Sequence, residues 1–224
     1  CVNCNSLFCS SDCQCKHDDL LCSCLSQLKS ISDVVQIDLG LVCLIFQACV
    51  NAQRRLVADK FHEQILQMVR SLHGVAESDT DYTLFDLVCS LQTHREDIDP
   101  EHLFTFKKCA KELNSVLVEL FNCEQQMLFN EELIVDLFCI TFVNAHGLCP
   151  PGFSSDIGTG LFPVVSLISH DCYPNCCFVT IGHTIYVRSI REIQKGEELS
   201  ISYIDLMPPT HLRRRVLLQS KYFI

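Results

Sequence analysis

From Val34 to Phe46 the chain is apolar at nearly every position: Val34, Val35, Ile37, Leu39, Leu41, Val42, Leu44, Ile45 and Phe46. Such a run predicts a helix or a buried segment rather than a half-solvated strand. Further on, Phe61, Ile65, Leu66, Met68, Val69 and Leu72 recur at helical spacing, and Gly74 supplies a stop. Asp79 or Asp81 is placed to cap another helix reaching to Thr93. Asp99-Pro100-Glu101 is a strong start signal, because an aspartate cap precedes a proline whose missing N–H costs a first helical position nothing. The apolar positions Leu103, Phe106, Leu113, Val116, Leu117 and Leu120 then carry a helix to about Phe121. Asn130-Glu131-Glu132 opens one more, through Val135, Leu137, Phe138 and Ile140.

After Phe142 the period changes. Cys149 to Ser155 is rich in turn residues and reads as a loop. From Gly160 onward the pattern is one of short strands and turns. Phe178 to Ile181 and Thr184 to Ser189 predict a hairpin around Gly182-His183, Lys195-Gly196-Glu197 a turn, and Leu199 to Ile204 a strand. Pro208-Pro209-Thr210 interrupts, and His211 to Tyr222 predicts a short basic helix. Its Arg213, Arg214 and Arg215 read as a solvated face rather than a nucleic-acid patch. His62, His73, His94 and His102 lack ligand-like spacing and read as surface or satisfied core histidines.

Composition narrows the possible functions. The 224 residues are 48% hydrophobic, enough for one sizeable core or a few small lobes. With 17 Lys+Arg against 27 Asp+Glu the net charge is −10, which disfavours general nucleic-acid binding and suits a basic partner; solubility alone is the plainer explanation. No run reaches the roughly 18 uncharged apolar residues of a membrane span. No signal-peptide pattern is visible, and the opening in a cysteine cluster and abrupt close at Tyr222-Phe223-Ile224 read as a fragment.

Cysteine changes the picture more. Seven of the 17 cysteines fall in the first 24 residues: Cys1, Cys4, Cys9, Cys13, Cys15, Cys22 and Cys24. The spacing Cys-x2-Cys-x4-Cys-x3-Cys followed by His17 and Cys22 lets thiolates and an imidazole turn back onto a metal, so zinc is the expected occupant. The alternative is chance clustering in a cysteine-rich chain. So short a segment has no core of its own, so folding would depend on the metal. Cys43, Cys49, Cys89, Cys109, Cys123 and Cys139 sit among apolar neighbours and read as small buried hydrophobes. Cys176 and Cys177 likewise read as core residues.

Two blocks carry the chemistry. One is Ser169-His170-Asp171-Cys172-Tyr173-Pro174-Asn175-Cys176, and the other is Gly196-Glu197-Glu198-Leu199-Ser200-Ile201-Ser202-Tyr203-Ile204-Asp205. With the cysteine/histidine cluster, the helical stretch and Asn144-Ala145-His146, their order resembles the SMYD family, the SET- and MYND-domain protein lysine methyltransferases. The likeness is strong over 139–223, moderate over 1–22, and positional between. It implies an α+β fold: a β-rich SET core with a pseudoknot, a helical insert and a small N-terminal MYND-like zinc module. The implied segments are 1–24 for a partial zinc finger, 25–138 for the insert, 139–207 for the SET core and 208–224 for the start of the post-SET region. The first, glycine-rich SET segment and the post-SET cysteines are expected to lie outside this stretch, and as an isolated piece it is expected to show little or no activity.

The resemblance also implies in-line methyl transfer from S-adenosylmethionine to a lysine of a histone or another protein. The amine must be neutral to attack, so it needs a narrow and largely dry channel, and donor and acceptor must be held in line. Tyr203 matches the family's catalytic tyrosine. Asn144, Ser166, Ile168, Ser169 and His170 match positions lining the cofactor pocket, and Tyr222 an aromatic near the channel. By the family's crossed pattern, Cys1, Cys4, His17 and Cys22 bind one zinc, with Cys24 as a substitute for Cys22. Cys9 and Cys13 belong to a second, and Cys172 resembles a ligand of a third. A proline-rich peptide is an implied partner of the zinc module, and the implied location is cytoplasmic and nuclear. Two departures stand out in the signature: Ser169 replaces an asparagine and Asp171 a serine. They keep a second reading open, in which a degenerate SET core serves as scaffold for a non-catalytic adaptor.

Overall fold

The computed structural model describes residues 19–53, 84–121, 129–149, 155–181 and 184–221. Of these, 19–53, 98–121 and 129–139 fall in one compact unit, and 84–97, 140–149, 155–181 and 184–221 in another. The predicted helix around Phe61 to Leu72, the tip of the hairpin at Gly182-His183, and Cys123 lie outside the described residues, as do Cys1, Cys4, Cys9, Cys13, His17 and Tyr222. Among the described residues no helix is long and apolar enough to cross a membrane.

The first unit is helical. Helix α1 (Asp19–Val35) presents Cys24, Leu28, Ile31 and Val35 on one buried stripe. Helix α2 (Leu39–Gln53) buries Val42, Ile45, Phe46, Cys49 and Val50. The apolar run from Val34 to Phe46 is therefore not one segment but the end of one helix and the start of the next. Gln36 adopts φ 58°, the left-handed cap conformation, and Ile37 N–H donates back to the Ser32 carbonyl at 3.1 Å. Asp38 then caps α2 by accepting from Leu41 N–H at 2.8 Å.

Further along, α4 (Pro100–Phe121) and α5 (Glu131–Asn144) start where the sequence predicts. Asp99 Oδ1 accepts from Glu101 N–H at 2.9 Å, and Asn130 Oδ1 from Leu133 N–H at 2.9 Å. Helices α1, α2 and α4 pack on one another. On α4, Phe106, Cys109, Ala110, Leu113 and Leu117 form the buried stripe, and Phe106 stacks on Phe138 of α5 at 5.4 Å. Cys49, Cys109 and Cys139 are buried, as expected of small apolar side chains, while Cys43 and Cys89 are half-buried. Burial pushes the Cys109 thiol up to about 12.

In the second unit, α3 (Leu84–Cys89) is shorter than the helix predicted to reach Thr93. The strands form three two-stranded sheets among the described residues. Strand β1 (His146–Gly147) pairs antiparallel with β2 (Thr159–Gly160). After the short helix α6 (Pro163–Ser166), β3 (Ser169–His170) runs parallel to β6 (Ser200–Ile201). Strands β4 (Cys176–Ile181) and β5 (Thr184–Ser189) make the predicted hairpin, in register Cys176↔Ser189 to Ile181↔Thr184. Alternation along β4 buries Cys176 and exposes Cys177, so only the first is a core residue. Gly196, at φ 86°, makes the turn before β6, a conformation that side-chain-bearing residues adopt at a cost. The chain ends its described course in α7 (Thr210–Lys221). On it Arg214 and Arg215 are exposed, whereas Arg213 turns inward and donates to Thr210 Oγ1 at 3.2 Å.

The strand predicted over Leu199 to Ile204 shrinks to two residues. Tyr203 N–H, which a longer strand would give to its ladder, goes instead to the His170 ring at 3.0 Å, and Ser202 Oγ donates to the Ile204 carbonyl at 2.7 Å. A side-chain acceptor far away in sequence has replaced the ladder partner of Tyr203.

Candidate functional site

The centre of the site is the crossing of β3 and β6. Ser169 lies beside Ser200 and His170 beside Ile201, and Asp171 N–H donates to the Ile201 carbonyl at 3.0 Å. Asn175, almost wholly buried, locks the crossing. Its Oδ1 accepts from Ser200 N–H at 2.8 Å, and its Nδ2 donates to the Glu198 carbonyl at 2.8 Å and to Glu197 Oε1 at 3.1 Å. Arg191 pairs with the same Glu197 at 2.7 Å, and the hydrogen bonds of Gln194 and Asn175 hold that carboxyl below its usual range. Beneath the crossing Val165, Cys176 and Ile201 form a small apolar cluster, with Phe162, Ile168, Phe178, Ile193 and Tyr203 packed against it.

This frame aims Tyr203. Its hydroxyl donates to the Ile168 carbonyl at 2.5 Å, its N–H to His170 Nδ1, and its ring lies 5.4 Å from the His170 ring. Burial raises the phenol above its ordinary value, so the hydroxyl keeps its proton at neutral pH. His170 is a neutral acceptor at Nδ1; burial lowers its pKa, with Asp171 and the Ile201 carbonyl opposing. Its Nε2 stands 3.5 Å from Cys172 Sγ.

Beside Tyr203 opens a cavity of about 680 Å³, within the range of small-molecule sites. Asn144, Ser166, Phe178, Thr180, Ser202, Tyr203 and Lys221 are among its walls, with His146 and Gly147 of β1. Ser166 Oγ donates to the Asn144 carbonyl at 3.0 Å and to Phe162 O at 3.1 Å. The Asn144 side-chain amide is spent on the backbone, giving its two protons to Gln92 O at 2.9 Å and Ile140 O at 2.8 Å. His146 stands edge-on between Phe162 and Phe178, and its buried Nδ1 has no hydrogen-bond partner among the described residues. Burial, and then the charge of Lys221, lowers its pKa to about 4, so the ring is neutral. A Cβ at Gly147 would lie 1.9 Å from Asp156 Oδ2, so the Asp156 side chain would have to move for any other residue to stand there.

Of the residues the sequence singled out, Asn144, Ser166 and Tyr203 line the cavity, and Ile168 reaches the Tyr203 hydroxyl through its carbonyl. His170 sits behind Tyr203. Ser169 is exposed and turned away, its hydroxyl donating to Glu198 at 2.6 Å. Cys172 is exposed. Cys22 lies buried in α1, which begins at Asp19, inside the span expected for the zinc module. Among the described residues no three His, Cys, Asp or Glu side chains converge as metal ligands. Sequence reading missed His146, Lys221, Phe178 and Thr180 as walls. The only signal for His146 was its place two residues after Asn144, and none marked Lys221.

The SET domain family matches residues 58–204. The chain belongs to the SET-domain family and, within it, to the SMYD group. It is 30% identical over 142 residues to histone-lysine N-methyltransferase SMYD3 of Mus musculus, covering 63% of this chain and 32% of that protein. It is 33% identical over 132 residues to N-lysine methyltransferase SMYD2 of Gallus gallus, covering 58% of this chain and 26% of that one. With the SET domain and MYND-type zinc finger protein 6 of Schizosaccharomyces pombe it shares 36% over 96 residues, 43% of this chain and 20% of that protein. The chain thus spans about a third or less of the length of these relatives.

Proposed function

We propose that this chain carries the core of a protein-lysine N-methyltransferase, one that methylates lysines of histones or other proteins with S-adenosylmethionine as donor. One observation carries the reading: a tyrosine hydroxyl fixed on a backbone carbonyl at the wall of a cavity that Asn144 and Ser166 also line. The parallel pairing of β3 with β6 supports the SET pseudoknot.

The residues present fit the donor. Polar groups and Phe178 are both among the walls of the cavity, and the buried His146 Nδ1 has no hydrogen-bond partner among the described residues. Asn144 and Ser166 line the wall that would receive the donor, and the Ile168 carbonyl would fix Tyr203 beside it, with His170 orienting Tyr203 from behind. Bound, the donor supplies an electrophilic methyl group on a sulfonium. Tyr203 keeps its proton and presents a fixed dipole to the reacting amine. The half-buried wall disfavours an ammonium there; Lys221, itself lowered by burial, reports that environment. The net charge of −10 suits a basic, lysine-bearing segment as substrate. The proposal extends to zinc held by Cys1, Cys4, Cys9, Cys13 and His17, which lie outside the described residues, on the strength of their spacing.

Calorimetry with S-adenosylmethionine on the full-length parent protein and on its Tyr203→Phe variant tests the reading. Binding in both, with methyl transfer to a histone mixture reduced about a hundredfold or more in Tyr203→Phe, is the expected result. Undiminished transfer in Tyr203→Phe overturns the catalytic role. The adaptor reading has one observation in its favour, the turning of Ser169 towards Glu198 and away from the cavity. It takes the lead if the parent does not bind and Ser169→Asn does.

A further inference from the structure

The cavity already contains a lysine. Lys221, in the last turn of α7, extends its amine to the Val143 carbonyl at 2.5 Å and stands 5.8 Å over the centre of the Tyr203 ring. Among the described residues no carboxylate pairs with it, so a backbone carbonyl and an aromatic face are its partners. That pair is unusual for a side chain that normally keeps its head in water. Holding it half-buried costs solvation, and burial lowers its pKa accordingly. A carbonyl acceptor and an aromatic wall beside Tyr203 are also what a lysine amine entering from another chain would need.

We infer that the Lys221 amine occupies the amine-accepting end of this cavity, so that an incoming lysine binds only after Lys221 has been displaced. The inference rests on the methyltransferase reading for the identity of the incoming group, but the occupancy itself is a property of this chain. One ring face has room for one ammonium, and two cations held a few ångströms apart repel. The apparent affinity for an outside amine therefore falls in proportion to the fraction of molecules from which Lys221 has withdrawn. The resident side chain acts as an internal competitor and raises the threshold for weak substrates.

The test uses n-butylamine, which reproduces the lysine side chain and needs no methyl donor. Its binding is followed by NMR, through the Tyr203 and His146 ring signals, in the parent, in Lys221→Ala and in Lys221→Met. Lys221→Ala opens the space and is expected to bind the amine at least about tenfold more tightly than the parent. Lys221→Met keeps most of the stem but frees the Val143 carbonyl and the ring face, and is expected to bind the amine more tightly than the parent. Equal binding by parent and Lys221→Ala, or none by a folded Lys221→Ala, overturns the inference.

Failure of S-adenosylmethionine to bind, with butylamine still admitted on removal of Lys221, sinks the methyltransferase reading and leaves the resident-lysine inference standing. The reverse pattern separates them the other way.

Discussion

In the helical unit Leu28, Phe46, Leu113, Leu117 and Phe138 are fully buried, and each lies on a stripe of apolar neighbours along its own helix. Around the crossing of β3 and β6 the buried apolar cluster among the described residues is Val165, Cys176 and Ile201. There the geometry is held by polar side chains reaching across long stretches of sequence: Asn175 to Ser200 and Glu198, and His170 to Tyr203. Apolar packing is non-directional and forgives an exchange of one shape for a similar one. A buried hydrogen-bond network does not, because losing one partner strands the others. A site that must hold a hydroxyl in one place is better built on the second kind of support.

Asn175→Leu would break this comparison most directly. The branched shape and number of heavy atoms are kept, yet Ser200 N–H and the Glu198 carbonyl lose their buried partner. The expected loss is about 3–5 kcal/mol in urea unfolding, since two or three backbone and side-chain partners are left unpaired. A loss below about 1 kcal/mol would mean that the crossing is held by packing after all. The counterpart is Leu113 of α4. Leu113→Ala should cost about 2–5 kcal/mol through the cavity it leaves, whereas Leu113→Met should cost less than about 1.5 kcal/mol. Parity between Leu113→Met and Asn175→Leu would erase the distinction.

The same difference decides how much of the molecule is legible in its sequence. Helix α4 is legible at both ends because its start signal, Asp99-Pro100, and its apolar stripe lie within one stretch. The break at Gln36 is not legible: apolar residues flank it on both sides, and a non-glycine cap at φ 58° leaves no compositional mark. The short β6 escapes the pattern for a different reason. Leu199 to Ile204 alternates like a longer strand, but the ring that captures Tyr203 N–H belongs to a residue 33 positions earlier. Among the site residues, those in signature blocks are legible as a set, and Tyr203, Asn144 and Ser166 do meet. Ser169 belongs to the same block and yet faces Glu198, because neighbours on a strand point to opposite sides. Lys221 comes to the cavity only through the docking of α7, which no local pattern encodes.

A pH titration sharpens the comparison at the next level down. His146 is neutral in the folded chain, with a pKa lowered to about 4 from an ordinary 6.5. The unfolded chain therefore binds the proton more readily between these values, so stability is full above about 6.5 and is lost as pH falls towards 4. Because the ring is partly exposed, the expected loss between about pH 7 and about pH 5 is roughly 1–2 kcal/mol. His146→Phe, which keeps an aromatic between Phe162 and Phe178, should flatten that slope. A slope that survives the substitution would assign it to other groups.

The smallest effect is expected at Gly196, and it separates backbone conformation from both packing and hydrogen bonding. Among the described residues a Cβ at this position meets nothing within 4 Å, so contact with them does not oppose Gly196→Ala. What opposes it is φ 86°, a conformation that costs a side-chain-bearing residue about 1 kcal/mol. The turn it makes leads into Glu197 and Glu198, the two residues on which the Asn175 side chain closes. If strain at the turn is relieved by shifting that loop, Gly196→Ala should cost more than about 1 kcal/mol and should weaken protection of Ser200 N–H from hydrogen exchange. If the loss stays near 1 kcal/mol with Ser200 N–H still protected, the Asn175 network is stiff enough to impose the turn on whatever residue stands there.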